Sequence, residues 1–358
     1  MYASSREKRP VNAIDFIDRL ERRQSARRVS NSTDEILRQL SARIIGQPHA
    51  MKAIVPYVRM YEAGLNPEGR PAGVFLLLGP TGTGKTRTVE ALAEVLHGSR
   101  KHHLRVDCGE YQMDHEVAKL TGAPPGYLGH RETHPVLTQA RLAAVTSQAS
   151  SLSIVLFDEI EKASPSLTRL LLGVLDKATL RLGDNNVVNF ERSMIFLTSN
   201  VGARGMQEEL GPSVGFSRSV ADPAALPDAL RLESIAMREA RKRFAPEFLN
   251  RIDAAVTYQP LHGDALSAIL DLQIQELQDH IDCRLGSRTF RVDVTPKGRR
   301  FLLAEGTSPQ YGAREIRRAV HRHVTQPLAA LLVDGRIRSG GRIRIDATAS
   351  GGLQLKAA

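Results

Sequence analysis

The run VFLLLGPTGTGKTRTVEALAEVL, residues 74–96, constrains the fold more than any other part of the chain. Its unbroken apolar start suits a strand buried on both faces, and its end has helical periodicity. Between them, GPTGTGKT (79–86) is a full match to the pattern GxxxxGK[ST]. Gly79, Gly82 and Gly84, with Pro80, Thr81 and Thr83 between them, allow backbone N–H groups to close around phosphate oxygens at a helix N-terminus. Lys85 reaches the β and γ phosphates, and the Thr86 hydroxyl is placed to hold Mg²⁺. The plain alternative is an ordinary glycine-rich turn, but the strand before it and the helix after it supply the context that a phosphate loop needs.

The same alternation continues downstream. Strands are expected at HLRVD, SIVLFD and SMIFLTS, and helices around 135–149 and 165–178; LRLGDNNVVNF reads as a hairpin turning at Asp184-Asn185-Asn186. Strands and helices in alternation predict an α/β domain with a mostly parallel sheet between helices, and the GPTGTGKT motif makes it one of the P-loop NTPase type. Past residue 260 the pattern changes to long helical stretches (263–285, 296–305 and 312–334) with the short β runs TFRVDV and GRIRID, the mark of a smaller, helix-rich α+β C-terminal domain. The expected organisation is a basic mobile N-terminal arm over 1–32, a large ATPase domain over 33–259, a small domain over 260–347 and a tail over 348–358. In the large domain, Thr33 and Asp34 cap a first helix, and Gly46 separates it from one opened by Pro48.

SIVLFDEIEKA strengthens the nucleotide reading. Asp158 and Glu159 follow four apolar residues at the C-terminal end of a strand, where open α/β sheets bind ligands. Asp158 suits the metal's water shell, and Glu159 the polarisation of an attacking water. A helix N-terminus favouring acids is the bland alternative; beside the phosphate loop it loses most of its weight. ATP and Mg²⁺ are therefore the expected ligands.

Composition narrows the remaining classes. The 358 residues are 42% hydrophobic and 25% charged, ordinary for a folded domain pair, and no run approaches a membrane span. Cys108 and Cys283 are the only cysteines, so neither a zinc framework nor a disulfide scaffold is expected, and a reducing, cytoplasmic setting fits. The N-terminus lacks the apolar core of a secretory signal. A net charge of +10 admits an acidic partner or nucleic acid, although a solvated basic surface explains it as well.

With these residues in hand the chain resembles the Clp branch of the AAA+ ATPases, in particular the second, C-terminal ATPase ring of ClpA, ClpB and ClpC. The likeness covers residues 35–346 and is carried by IIGQPHA, GPTGTGKT, LTGAPPGYLG, LFDEIEKA, FLTSNVGA, FAPEFLNRID and QYGAREIRRAV, in that order. It implies that Ile44 and Ile45 seat the adenine and that Asn200 is the sensor residue aligning the attacking water. It also implies that Arg251 is an arginine finger reaching a neighbouring subunit's nucleotide, and that Arg314 is a second sensor on the small domain. A finger supplied in trans requires a closed ring, and the resemblance implies a hexamer. Each arginine has a plain alternative as a helix-end or surface residue. Where the family usually has an arginine this chain has Ala245, which leaves Arg251 as the main trans cation. The first ring, the N-terminal substrate domain and the coiled-coil middle domain are not present, which speaks against a stand-alone disaggregase of the ClpB type.

Two loops bear on the substrate. In TGAPPGYLGHRETH (121–134), Gly126, Tyr127, Leu128 and Gly129 resemble the pore loop that grips a translocating polypeptide. Pro124 and Pro125 stiffen its base, while the glycines free its tip. In SVGFS, Val214, Gly215 and Phe216 resemble the loop by which ClpC docks on the ClpP peptidase, with Phe216 folded back onto its own domain as the alternative. The leading expectation is an ATP-dependent protein unfoldase acting on unfolded or tagged proteins, with ClpP as a further partner. A nucleic-acid remodelling motor and an ATP-regulated assembly scaffold stand as alternatives. An aromatic pore residue favours protein over nucleic acid, whose phosphates call for lysine and arginine.

Overall fold

The computed structural model describes residues 35–122, 135–210, 228–307, 312–348 and 352–357. The chain enters through helix α1 (35–43), breaks at Gly46, where φ is +76°, and continues in α2 (Pro48–Glu62). Proline at the first helical position costs no hydrogen bond, because the N–H there has no intrahelical partner.

The large unit has strands β1 (Gly73–Leu78), β2 (Leu104–Asp107), β3 (Ser153–Asp158), β4 (Thr179–Arg181), β5 (Val187–Asn189), β6 (Ser193–Ser199) and β7 (Ala254–Thr257). Five of them form one sheet in the order β2-β3-β6-β1-β7, with every neighbouring pair parallel. The helices between them are α3 (Lys85–His97), α4 (Ala118–Thr121), α5 (Gln139–Ala144), α6 (Pro165–Lys177), α7 (Ala203–Leu210), α8 (Asp228–Arg243) and α9 (Pro246–Leu249).

Strand alternation divides the central strands between two cores, one on each face. Val74, Leu76, Leu78, Val155, Phe157, Ile195 and Leu197 line one; Phe75, Leu77, Ile154, Leu156, Met194 and Phe196 line the other. On the second face Phe75 stacks on Phe196 at 5.1 Å between ring centres and meets Tyr57 edge-on at 5.0 Å. β1, β3 and β6 are buried along their whole length, as strands covered on both sides must be.

β4 and β5 pair as the expected hairpin, with Asn185 at φ +67° and the Asp184 carboxylate accepting the Asn186 N–H at 3.0 Å. The helix expected over 135–149 is shorter. It is confined to Gln139–Ala144, opened by the Thr138 hydroxyl, which accepts the Arg141 N–H at 3.2 Å.

The C-terminal unit consists of α10 (Gly263–Leu285), β8 (Arg291–Val294), α11 (Pro296–Gly306), α12 (Ala313–Val320), α13 (Gln326–Val333), β9 (Arg342–Ala347) and β10 (Leu353–Ala357). A π-helical turn, His321–Thr325, joins α12 to α13. β9 pairs in parallel with β8 and antiparallel with β10, so the stretch read as a tail carries a strand of the small sheet. Leu270, Leu302, Ile316, Val324, Ile343 and Ile345 centre its separate core. Two arginines of the large unit, Arg87 and Arg100, meet Glu276 of α10 at 2.7 and 3.0 Å.

Candidate active site

The loop between β1 and α3 is held open by glycine geometry. Gly79, Gly82 and Gly84 have φ of +139°, +79° and +106°, a region that side chains disfavour. At Gly79 a Cβ would lie 2.5 Å from the Tyr258 carbonyl. The loop is tied from outside by Gln47, which is fully buried. The Gln47 amide nitrogen donates to the carbonyls of Thr83 (3.2 Å) and Gln259 (2.8 Å), and its oxygen accepts the Gln259 N–H. Ile44 is buried and Ile45 half-buried on the approach to this anchor.

Lys85 lies buried beneath the loop. Its ammonium donates to the carbonyls of Gly79 (2.6 Å) and Pro80 (2.8 Å) and to Asn200 Oδ1 (3.0 Å). All three are neutral oxygens, so among the described residues this cation has no anion at contact distance. Burial lowers its pKa to about 8, against the raising influence of Glu161, Asp158 and Glu159 at longer range. An under-compensated buried cation below a glycine-held loop at a helix N-terminus fits a phosphate.

Asn200, at the end of β6, also accepts from the Thr81 hydroxyl at 3.4 Å, so the expected sensor touches both the lysine and the loop. Pro80, Thr83 and Thr86 complete the loop: the Thr83 hydroxyl donates to the Pro80 carbonyl at 2.8 Å, and Thr86 is half-buried on the first turn of α3.

The two acids diverge at the end of β3. Asp158 Oδ1 accepts a short bond from the Thr198 hydroxyl, and Oδ2 receives the Arg105 guanidinium at 2.6 Å. Glu159 turns out of the strand at φ +57°, its N–H donating to Thr198 Oγ1 at 3.0 Å and its carboxylate paired with Lys162 at 2.6 Å. Glu161 contributes differently: its Oε1 accepts the backbone N–H of Asn200 at 3.1 Å, while its Oε2 is buried without a partner.

Among the described residues no cluster of three or more His, Cys, Asp or Glu could hold a metal ion by itself. The hard oxygens of Thr86 and Asp158 would instead suit a Mg²⁺ that comes with a nucleotide, Thr86 directly and Asp158 through the ion's water shell.

The C-terminal unit reaches this site. The N–H of Ala313, at the start of α12, donates to the Gly82 carbonyl at 3.2 Å. Arg314 follows, exposed, and its charge also acts to lower the pKa of Lys85. Arg251 lies elsewhere, after α9, where it donates to the Glu247 carbonyl and stands 3.6 Å from Asp176 with its Nε buried and unbonded. Gly126, Tyr127, Leu128 and Gly129, and likewise Val214, Gly215 and Phe216, lie outside the described residues. Arg105, Thr198, Glu161, Lys162 and Gln47 are site residues that motif reading missed; each acts through a contact between separate strands or loops, apart from Lys162, which stands one turn beyond Glu159.

A parallel sheet with a lysine-bearing phosphate loop at the end of β1 and paired acids at the end of β3 defines a P-loop nucleotide-binding domain. Family models agree: residues 70–255 match the AAA domain (Cdc48 subfamily), and residues 261–345 match the C-terminal, D2-small domain, of ClpB protein. The chain belongs to the Clp-family AAA+ ATPases and corresponds to their D2-like unit.

The chain is 36% identical to the ATP-dependent Clp protease ATP-binding subunit ClpC of Staphylococcus epidermidis, over 86% of this chain and 36% of that protein. It is 35% identical to the chaperone protein ClpB of Corynebacterium diphtheriae, over 86% of this chain and 32% of that one. In a solved S. cerevisiae Hsp104:casein complex, the Hsp104 chain superposes with a TM-score of 0.77 at 26% identity, over 91% of this chain and 52% of that one. The chain thus spans about a third of the length of these curated relatives.

Proposed function

We propose that this chain binds and hydrolyses ATP at residues 79–86 and couples the hydrolysis to the unfolding of protein substrates, as the ATPase unit of a Clp-type ring. The observation that carries the ATP reading is Lys85, a buried cation whose partners among the described residues are neutral oxygens, under a glycine-held loop. In this reading the loop N–H groups and Lys85 hold the β and γ phosphates, and Glu159, once parted from Lys162, accepts a proton from the attacking water. Asn200 aligns that water, and Arg314 brings the C-terminal unit to bear on the γ phosphate. Mg²⁺, held by Thr86 and through its water shell by Asp158, would neutralise charge developing on the phosphoryl oxygens.

The assignment of Arg251 as a finger acting on a neighbour's nucleotide is supported by its half-satisfied guanidinium after α9, whose described contacts are to Glu247 and Asp176 and not to the loop. It entails a homo-oligomeric ring, with six subunits as the working number. The domain limits proposed are 33–259 for the large unit and 260–347 for the small one, preceded by the 1–32 arm. Protein as the substrate rests on Tyr127 and on the likeness to ClpB, ClpC and Hsp104. ClpP as a partner rests on Val214, Gly215 and Phe216, and a cytoplasmic location on cysteine usage; no helix among the described residues is long and apolar enough to cross a membrane.

The test is ATP-dependent unfolding of a tagged fluorescent protein, with and without ClpP. Unfolding that is lost in Tyr127→Ala while ATP hydrolysis persists supports threading. ATPase stimulation by DNA but not by unfolded protein would overturn it in favour of a nucleic-acid motor.

A further inference from the structure

Asp158, the acid expected to meet the metal, already has a cation. Arg105 lies on β2, the edge strand of the sheet, in register with Leu156 of the neighbouring β3. From there it reaches diagonally to the residue two positions further on, within range of a long side chain across parallel strands. Its guanidinium stands 2.6 Å from Asp158 Oδ2, and the two side chains are 50% and 11% exposed. The carboxylate is thus nearly enclosed, while the arginine that neutralises it has solvent on its outer flank and can leave without disturbing the core.

The surroundings explain why a counter-charge is needed there. Asp158 shares the end of β3 with Glu159 and Glu161. Glu159 is claimed by Lys162, and Lys85 bonds to neutral oxygens. A nearly buried carboxylate with like charges beside it is costly unless it is paired.

We propose that Arg105 is a competing counter-ion that holds the metal-facing acid Asp158 when no nucleotide is bound and must give up that carboxylate when Mg²⁺ arrives with the nucleotide. This rests on the reading of residues 79–86 as an ATP site. Two opposing effects of Arg105 have to be weighed. It could help Mg²⁺ by aiming the carboxylate, or hinder it by competing for the same oxygen and repelling a like charge. Aim does not depend on it: the Thr198 hydroxyl fixes Oδ1 from the neighbouring β6, and both strands are locked in the sheet. Competition therefore dominates, and Arg105 sets the Mg²⁺ concentration at which the site engages.

The experiment titrates Mg²⁺ against binding of the fluorescent nucleotide mant-ADP to the full chain, with no turnover involved, and records melting temperatures with and without saturating Mg²⁺ and ADP. In Arg105→Gln the half-saturating Mg²⁺ concentration is expected to fall roughly two- to fivefold, the range of a half-exposed ion pair. The nucleotide-free form should melt lower, while the Mg²⁺–ADP form is unchanged. Arg105→Lys, which restores the charge, should restore both. A Mg²⁺ requirement that is unchanged or raised in Arg105→Gln, or an equal loss of melting temperature in both forms, would overturn the inference while leaving the nucleotide site standing. Failure of the unaltered protein to bind mant-ADP at any Mg²⁺ concentration would overturn the nucleotide-site reading itself, and this inference with it.

Discussion

Ala313 donates its backbone N–H to the carbonyl of Gly82 at 3.2 Å, so the first turn of α12 rests on the phosphate loop. The residue before it, Gly312, has φ +52°, and a Cβ there would come within 3.0 Å of the same carbonyl. Gly312→Val therefore forces either the small unit or the loop to move. Strain at such positions costs about 1–3 kcal/mol, so ADP affinity measured by calorimetry should fall roughly five- to hundredfold. Gly286 has a similar φ of +53° but open space around it. Gly286→Val should lower the melting temperature and leave ADP affinity alone.

Lys85 makes nucleotide binding pH-dependent. Its pKa in the folded, empty protein is lowered to about 8, below the ordinary lysine value of 10.5. Phosphate prefers the charged form, so nucleotide affinity should weaken as pH rises above about 8. The stability linkage has the opposite sign: between about 8 and 10.5 the unfolded chain binds more protons at this position, so its contribution to the empty protein's stability increases with pH. Equilibrium binding of mant-ADP and melting scans between pH 7 and 10 measure the two trends. Lys85→Ala should abolish the binding.

Asn200→Asp should act on the same lysine. It places a carboxylate where a neutral oxygen now accepts from Lys85 at 3.0 Å. The buried cation gains a partner, so the empty protein should melt higher. A phosphate loses its attraction in the same step, so ADP affinity should drop tenfold or more. A variant that melts higher yet binds ADP normally would count against the phosphate role of Lys85.

Glu159 and Lys162 form an ion pair at 2.6 Å that keeps the proposed water-activating carboxylate occupied. Glu159→Gln should bind nucleotide normally while hydrolysis falls by roughly 10²–10⁴-fold, the scale of a lost general base. Lys162→Ala should change stability by less than about 1 kcal/mol, since both partners are substantially exposed. Its steady-state hydrolysis should rise, because Glu159 is freed.

Arg251→Ala separates the two roles open to that arginine. Among the described residues its guanidinium bonds to the Glu247 carbonyl and approaches Asp176. Melting temperature and ADP affinity should therefore hardly change, whereas turnover should collapse if the side chain serves a neighbouring subunit. Unchanged turnover at concentrations where rings form would refute that role.

Sequence reading was strongest where chemistry and periodicity coincide. The apolar runs of β1, β3 and β6 announce strands covered on both sides, and the glycines of the loop announce positive φ. It was weakest where partners are far apart. Nothing near Arg105 signals that its guanidinium meets a residue 53 positions later, and Gln47 looks like any helix-start glutamine until Gln259 comes beside it. The shortened α5 has a similar cause: local helix preference extends past Ala144, but the Ser147 N–H bonds instead to the Ser150 carbonyl, and its hydroxyl lies against His97. β10 is not announced by its own residues, because a short run of alternating residues becomes a strand only beside β9.

Gln47 also sets an order of assembly. Its amide joins the phosphate loop, 36 residues away, to Gln259, 212 residues away. On a ribosome the loop and its lysine emerge early, but the bonds that fix the loop's outer edge cannot form until β7 and the linker beyond it have been made. Domains generally fold as units once their chain is available. A nascent chain stalled before residue 254 would carry every residue of the GPTGTGKT motif and still lack the Gln259 contacts that, through Gln47, tie the loop's outer edge.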